Sequence, residues 1–140
     1  MISYRPALEK DLTTLAALIT ELGYETTPTA MKSRIAEIRA NQGEILVAEL
    51  DQEVIGCINM IIDIRLAEGK AGEIVSLIVT QKCQGLGIGK GLVCAAEQWL
   101  LHRCDRIRVR ANTLRSEAHR FYQSLGFTAI KAQQVFIKNL

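Results

Sequence analysis

At 140 residues the chain has the length of one domain that buries its own core, and 49% hydrophobic against 23% charged residues excludes a disordered chain. A formal net charge of +2 excludes the strongly basic surface that general nucleic-acid or anionic-membrane binding requires.

Ile2 to Arg5 reads as a short strand ended by Pro6. Leu12, Leu15, Ile19 and Leu22 share one helical face, and Gly23 follows as a C-terminal stop. Thr27-Pro28 has the form of a cap residue before a first-turn proline, opening a second helix through Met31, Ile35 and Ile38 toward Asn41 and Gly43. Ile45 to Leu50 and Val54 to Ile64 are strands joined by a tight turn at Asp51-Gln52. A loop from Ala67 to Gly72 leads to a third long strand, Glu73 to Thr80.

A helix carrying Ile88, Leu92, Ala95, Ala96 and Trp99 on one side comes next, then a strand from Arg106 to Ala111 with Ile107 and Val109 inward. Ser116 caps a last helix with Ala118, Phe121, Tyr122 and Leu125 on its apolar face, stopped by Gly126. Phe127 to Ala132 and Gln134 to Lys138 read as two closing strands. The expected architecture is α/β (mixed α+β): one domain over residues 1–140, with a mixed, mostly antiparallel sheet of six to seven strands flanked by about four helices.

The cysteines Cys57, Cys83, Cys94 and Cys104 contain no C-x-x-C pair, and His102 and His119 are the only histidines. They read as free thiols in a reducing compartment, not as a zinc site, so no metal is expected. The N-terminal residues lack a signal-peptide apolar core and no apolar run reaches membrane-spanning length, giving a cytoplasmic expectation.

The run Gln84-Gly85-Leu86-Gly87-Ile88-Gly89-Lys90-Gly91 places four glycines on alternate positions between a strand and a helix. Glycine permits a tight turn and close approach, and the unpaired N–H groups of a helix start favour an anion, most often a phosphate. The dinucleotide spacing G-x-G-x-x-G fails, because the sixth position holds Lys90 or Leu92. The P-loop spacing also fails: Gln84 stands where its first glycine belongs and Gly91 where its Ser or Thr belongs.

What fits is Gln84-x-x-Gly87-x-Gly89 after a long strand, which resembles the signature of the GNAT superfamily of acyl-CoA N-acyltransferases. The resemblance extends to Tyr4-Arg5-Pro6-Ala7 with Asp11, to Glu73 through Val79, and to Asn112 with Ala118 to Tyr122 and Leu125-Gly126-Phe127. Gly72-Glu73-Ile74, the Ala118 to Tyr122 segment and the closing Phe136 to Leu140 look most like the aminoalkylphosphonate and small-amine acetyltransferases. Gln81 departs from the family, many members of which carry proline there.

The resemblance implies acetyl-CoA as cosubstrate. Amides of Gln84, Gly85, Leu86, Gly87, Ile88, Gly89 and Lys90 would hold its pyrophosphate, and the backbone of Leu77, Ile78 and Val79 its pantetheine arm. Asn112, Ala118 and Phe121 would complete the cofactor contacts. An amine of pKa about 10 is protonated at neutral pH and needs a base. Glu73, eleven positions before Gln84, is that candidate; the alternative is a solvated strand-edge glutamate. Tyr122 is the acid for the departing thiolate, against a core tyrosine bonded to backbone. Asn112 could instead be a turn former, His119 reads as a surface or capping residue, and the arginines Arg103 to Arg120 mostly as a solvated face. The acceptor is expected between Leu22-Gly23-Tyr24 and the Ala67 to Gly72 loop.

The reading is an N-acetyltransferase acting on a primary amine, of a small molecule, by direct attack in a ternary complex. The alternatives are a protein N-acetyltransferase and a non-catalytic coenzyme A-binding module. Neither nucleic acid nor membrane is expected as a partner, and a homodimer is left open.

Overall fold

The structure, a computed structural model, describes residues 1–140. Its strands are β1 (Ile2–Pro6), β2 (Glu44–Leu50), β3 (Glu53–Arg65), β4 (Gly69–Val79) and β5 (Ile107–Val109). The helices are α1 (Leu12–Glu21), α2 (Pro28–Ala40), α3 (Ile88–Leu100) and α4 (Ser116–Ser124). Short 3-10 turns at Glu9–Asp11 and Gln81–Cys83 precede α1 and the glycine run. No helix is long and apolar enough to cross a membrane.

The strands lie in sequence order in one sheet, antiparallel from β1 to β4 and parallel between β4 and β5. A parallel step needs a crossover, and α3 supplies it. The β2–β3 turn has both Asp51 and Gln52 at positive φ (50° and 67°), the hairpin geometry that follows the twist of the strands.

Three expectations need correction. The sheet has five strands, not six to seven, because Phe127 to Ala132 and Gln134 to Lys138 form no strand. Alternating polarity specifies a strand only where a neighbour offers a ladder and a face to bury against. Here Ile130, Val135, Phe136 and Ile137 are 80–92% exposed and paired with no strand. The loop expected at Ala67 to Gly72 shrinks to a turn, since β4 begins at Gly69 and pairs with β3 through Arg65↔Gly69. Finally, β5 keeps only three of the six residues expected for it.

The chain forms two compact units, Met1–Val109 and Arg110–Leu140. In the first, α1 and α2 cover one face of the sheet: Leu15, Leu18 and Ile35 pack with Ala7, Ile45, Val47, Val54, Cys57 and Ile78. Burial pushes the Cys57 thiol up to about 12, so it behaves as a core residue. The other face receives α3, whose Leu92, Val93, Ala96 and Leu100 are fully enclosed and whose Leu100 seats against Gly72. Two helix ends follow the sequence, while Ser116, expected to cap α4, is instead its first residue, and Arg115 stands at the N-cap with no side-chain cap hydrogen bond. Thr27 Oγ1 accepts from the Ala30 N–H at 3.1 Å, and Gly23 ends α1 at φ 109°. In the second unit α4 stops before Gly126 (φ 95°), and the Tyr122 ring meets Phe121 and Phe127 edge-on at 5.1 and 5.6 Å.

The entry into α1 is fixed by a buried carboxylate. Asp11, 4% exposed, accepts 2.7 and 3.1 Å hydrogen bonds from Arg5 on β1 and one of 2.7 Å from the Leu8 N–H. Arg5 also donates to Glu49 on β2 at 2.9 Å. Burial alone would raise the Asp11 pKa, but the Arg5 and Leu8 hydrogen bonds outweigh it and hold the carboxyl below its ordinary value.

A carboxyl lowered on folding adds stability above its unfolded pKa of about 3.9, and that stability disappears as pH falls through the lower folded value. Urea melts should therefore show the wild-type chain losing stability below about pH 4. Asp11→Ala should cost about 3 kcal/mol at pH 7, because Arg5 is left without its main partner, and should flatten the acid limb.

Candidate active site

The turn from β4 into α3 has most of its early amides paired and leaves the later ones open. The Thr80 N–H donates to Ile55 O at 2.8 Å, Cys83 N–H to Thr80 O at 3.0 Å, and Gln84 N–H to Gln81 O at 3.3 Å. The Gln84 side-chain amide reaches back to Val79 O at 3.2 Å. Gly85 and Gly87 then take positive φ (84° and 79°), and Gly87 stands as the left-handed N-cap of α3. The first amide of α3 to find a backbone acceptor is that of Gly91, to Gly87 O at 3.1 Å. Ile88, Gly89 and Lys90 therefore present the unpaired N–H groups of a helix start, with the Lys90 side chain exposed beside them. Gly91 has another cause. A Cβ there would lie 1.8 Å from the Tyr4 hydroxyl, so this glycine makes room for a β1 side chain.

On β4 the two edges differ. The β3 ladder runs from Gly69 to Val79 and skips Val75, a bulged residue between the Ile74 and Ser76 pairs. The β5 ladder covers only Gly72, Glu73 and Ile74. From Val75 to Val79, which includes Leu77, Ile78 and Val79, β4 has a strand neighbour on the β3 side only. A β-edge left open beside a set of unpaired helix N–H groups is a shape that accepts an extended chain ending in phosphates.

Glu73 lies within β4, not at its edge, and is 6% exposed. Arg108, opposite it on β5, donates from Nε to Glu73 Oε1 at 2.6 Å. The same guanidinium contacts Asp63 Oδ2 on β3 and, at 3.5 Å, Glu68 Oε2 in the β3–β4 turn. Arg65 closes the group through Asp63 at 2.6 Å, and Arg106 donates to the Glu68 carbonyl. The Glu73 hydrogen bond and the neighbouring carboxylates raise the Arg108 pKa despite partial burial. Arg108 is thus a hub at 19% side-chain exposure, where the sequence suggested a solvated face. The usable signal was its place between Ile107 and Val109 on a strand parallel to one carrying a glutamate.

In the second unit, burial pushes the Tyr122 phenol above its ordinary value against the opposing field of Arg115, so it is protonated at neutral pH. Ala118 and Phe121 are half-buried on the same helix. The Asn112 Oδ1 accepts from the Leu114 N–H at 2.9 Å and its carbonyl contacts the His119 Nε2 at 2.9 Å, a turn-forming arrangement. The four cysteines are free: Cys57 is buried, Cys83 and Cys104 half-buried and Cys94 exposed.

The expected frame for the acceptor is not what the structure forms. Leu22 to Tyr24 follow Glu21, whose carboxylate touches Thr80 and Gln81 at the C-terminal end of β4. The β3–β4 turn lies at the other end of this eleven-residue strand, roughly 30 Å away by strand rise. An open cleft of about 530 Å³ lies at that turn, lined by Glu68, Lys70, Cys104, Asp105 and Arg106.

Residues 11–127 match the model of the Acetyltransferase (GNAT) family. The chain belongs to that family. A curated relative, an uncharacterized N-acetyltransferase of Methanocaldococcus jannaschii, is 34% identical over 83 residues, covering 58% of this chain. The matched segment spans half the length of that relative. Among solved structures, a transcriptional regulator from Bacillus halodurans superposes with TM-score 0.84 at 24% identity, covering 98% of this chain and all of that one. The aminoglycoside N-acetyltransferase AAC(6')-Iy, in complex with CoA, superposes with TM-score 0.87 at 18% identity, covering 100% and 96%.

The glycines can be separated by substitution. Gly87→Ala meets open space, so its cost is the left-handed backbone alone, about 1–2 kcal/mol, spent at the unpaired amides. Gly91→Ala should lower the melting temperature through collision with Tyr4, and Tyr4→Leu should reverse most of that loss. Gly87→Ala should gain nothing from Tyr4→Leu.

Proposed function

We propose that this chain acetylates the primary amine of a small molecule, with acetyl-CoA as donor and direct attack in a ternary complex. The observation that carries the reading is the continuity of an open β4 edge with the unpaired amides of Gly85 to Lys90, beside a buried glutamate on the same strand. When bound, acetyl-CoA supplies the activated acetyl thioester. The amides of Gln84 to Lys90 would take its pyrophosphate, and the open edge at Leu77 to Val79 would take the pantetheine arm as an added strand. The family match spans both compact units, which supports reading residues 1–140 as one catalytic domain.

Glu73 is the proposed base. Arg108 fixes the orientation of its carboxylate through Oε1, and burial removes competing water. Tyr122 is assigned as the acid from its motif, and its raised pKa supports the role because the phenol carries its proton at neutral pH. Asn112, Ala118 and Phe121 are assigned to cofactor contact on the motif alone. A small amine is favoured because the fold neighbour solved with CoA is named for aminoglycosides, and the motif likeness extends to aminoalkylphosphonate acetyltransferases.

A panel of aminoalkylphosphonates, aminoglycosides, polyamines and lysine peptides, assayed with acetyl-CoA by thiol release, should give turnover with one of the small amines. Turnover confined to peptides would move the reading to a protein acetyltransferase. Coenzyme A binding without turnover on any amine would leave a binding module.

With an acceptor in hand, Glu73→Gln should lower kcat/KM about 10²-fold near neutral pH. Activity should partly recover as pH nears the amine's own pKa of about 10, where the substrate deprotonates unaided. Tyr122→Phe should lower kcat with little change in acetyl-CoA affinity; full kcat in that variant would remove Tyr122 from the chemistry.

A further inference from the structure

The carboxylate of Glu21 has no role in the helix that carries it. It is the last residue of α1, where a negative charge opposes the helix dipole, and no basic residue in that turn offsets it. Across a gap of 60 positions in sequence, its Oε1 instead accepts the Gln81 N–H at 2.9 Å. The Thr80 hydroxyl lies 3.3 Å from its other oxygen. The amides of Thr80, Cys83 and Gln84 are held by backbone carbonyls, so this is the place where the turn is tied to α1 by a side chain.

The tie reaches the glycine run through a short chain of contacts. Glu21 fixes the Gln81 peptide, Gln81 O receives the Gln84 N–H, and the Gln84 side chain returns to Val79 O. Gly85 begins directly after. A hydrogen bond from a backbone N–H to a carboxylate is among the stronger kinds, and it acts here on a segment otherwise exposed. A cradle already in its binding conformation spares the ordering cost when an anion arrives.

We propose that Glu21 is a positioning residue for the donor site: by holding the Gln81 amide it sets the conformation in which Gln84 to Lys90 receive the pyrophosphate. This rests on the acetyltransferase reading. The sign of the effect is diagnostic. A carboxylate that merely stood near an anion site would repel it, and its removal would tighten binding; a strut does the opposite.

The test is calorimetric titration of coenzyme A. Glu21→Ala should weaken binding about tenfold, the scale of one lost charge-assisted hydrogen bond. Glu21→Gln, whose amide oxygen still accepts from Gln81, should retain most of the affinity. S-acetylpantetheine, which lacks the pyrophosphate, should bind the wild type and Glu21→Ala alike when followed by NMR. Gln81→Pro deletes the donor N–H and suits Thr80, which already has the φ −55°, ψ 142° that precedes proline. In that background Glu21→Ala should add nothing. Coenzyme A affinity unchanged or tighter in Glu21→Ala, or an equal loss for S-acetylpantetheine, overturns the strut. A wild-type chain that does not bind coenzyme A overturns the acetyltransferase reading itself.

Discussion

Strand β4 pairs with β3 over ten positions but with β5 over three, and the site follows from where the second ladder stops. Three parallel rungs are a weak attachment for a strand. Arg108 strengthens it from the side-chain face, joining β5 to Glu73 on β4, Asp63 on β3 and Glu68 in the turn between them. The clamp sits level with the last paired residues, so β5 is held up to Ile74 and released beyond it. The Val75 bulge falls at the release point and turns β4 there. The open edge begins where β5 ends at Val109, and Arg108 reinforces the closed edge just before it.

Two buried carboxylates, Asp11 and Glu73, are each met by an arginine from a strand, and the difference between them separates structure from chemistry. Asp11 takes two oxygens' worth of Arg5 and a backbone N–H besides, an arrangement that leaves it no part beyond fixing β1 to the start of α1. Glu73 lies where the β5 ladder ends, adjacent to the edge on which a donor would be laid. Burying either charge costs free energy that its partners must offset. At Asp11 the return is a fixed helix entry. At Glu73 it is a carboxylate held in one orientation next to an open strand edge.

What the sequence made legible was mostly local. Leu12, Leu15 and Ile19 on one face (Leu22, placed with them, is exposed), the Thr27-Pro28 cap, the Asp51-Gln52 turn and the glycine stops at Gly23 and Gly126 each depend on neighbours within a few residues. The errors were all questions of partnership. Residues 127–138 alternate as a strand should, yet no ladder receives them. The stretch 69–72 contains two glycines and looks like a loop, but pairing with the end of β3 draws it into β4. Arg108 and Glu21 gain meaning only through contacts 35 and 60 residues away, which no local pattern records.

The glycine run carries two constraints that its spacing merges. Gly85 and Gly87 are required by backbone conformation, since each sits at positive φ with open space around it. Gly91 is required by packing, because the Tyr4 ring occupies the volume a side chain would need. One set shapes the surface that faces solvent, and the other lets β1 support the first turn of α3 from beneath. Glu21 adds a hold from α1 at the opposite end of the turn. The amides between these supports are left without partners by construction. Contacts from both ends of the turn hold the backbone that carries them, and a few N–H groups held in this way can bind an anion in competition with water.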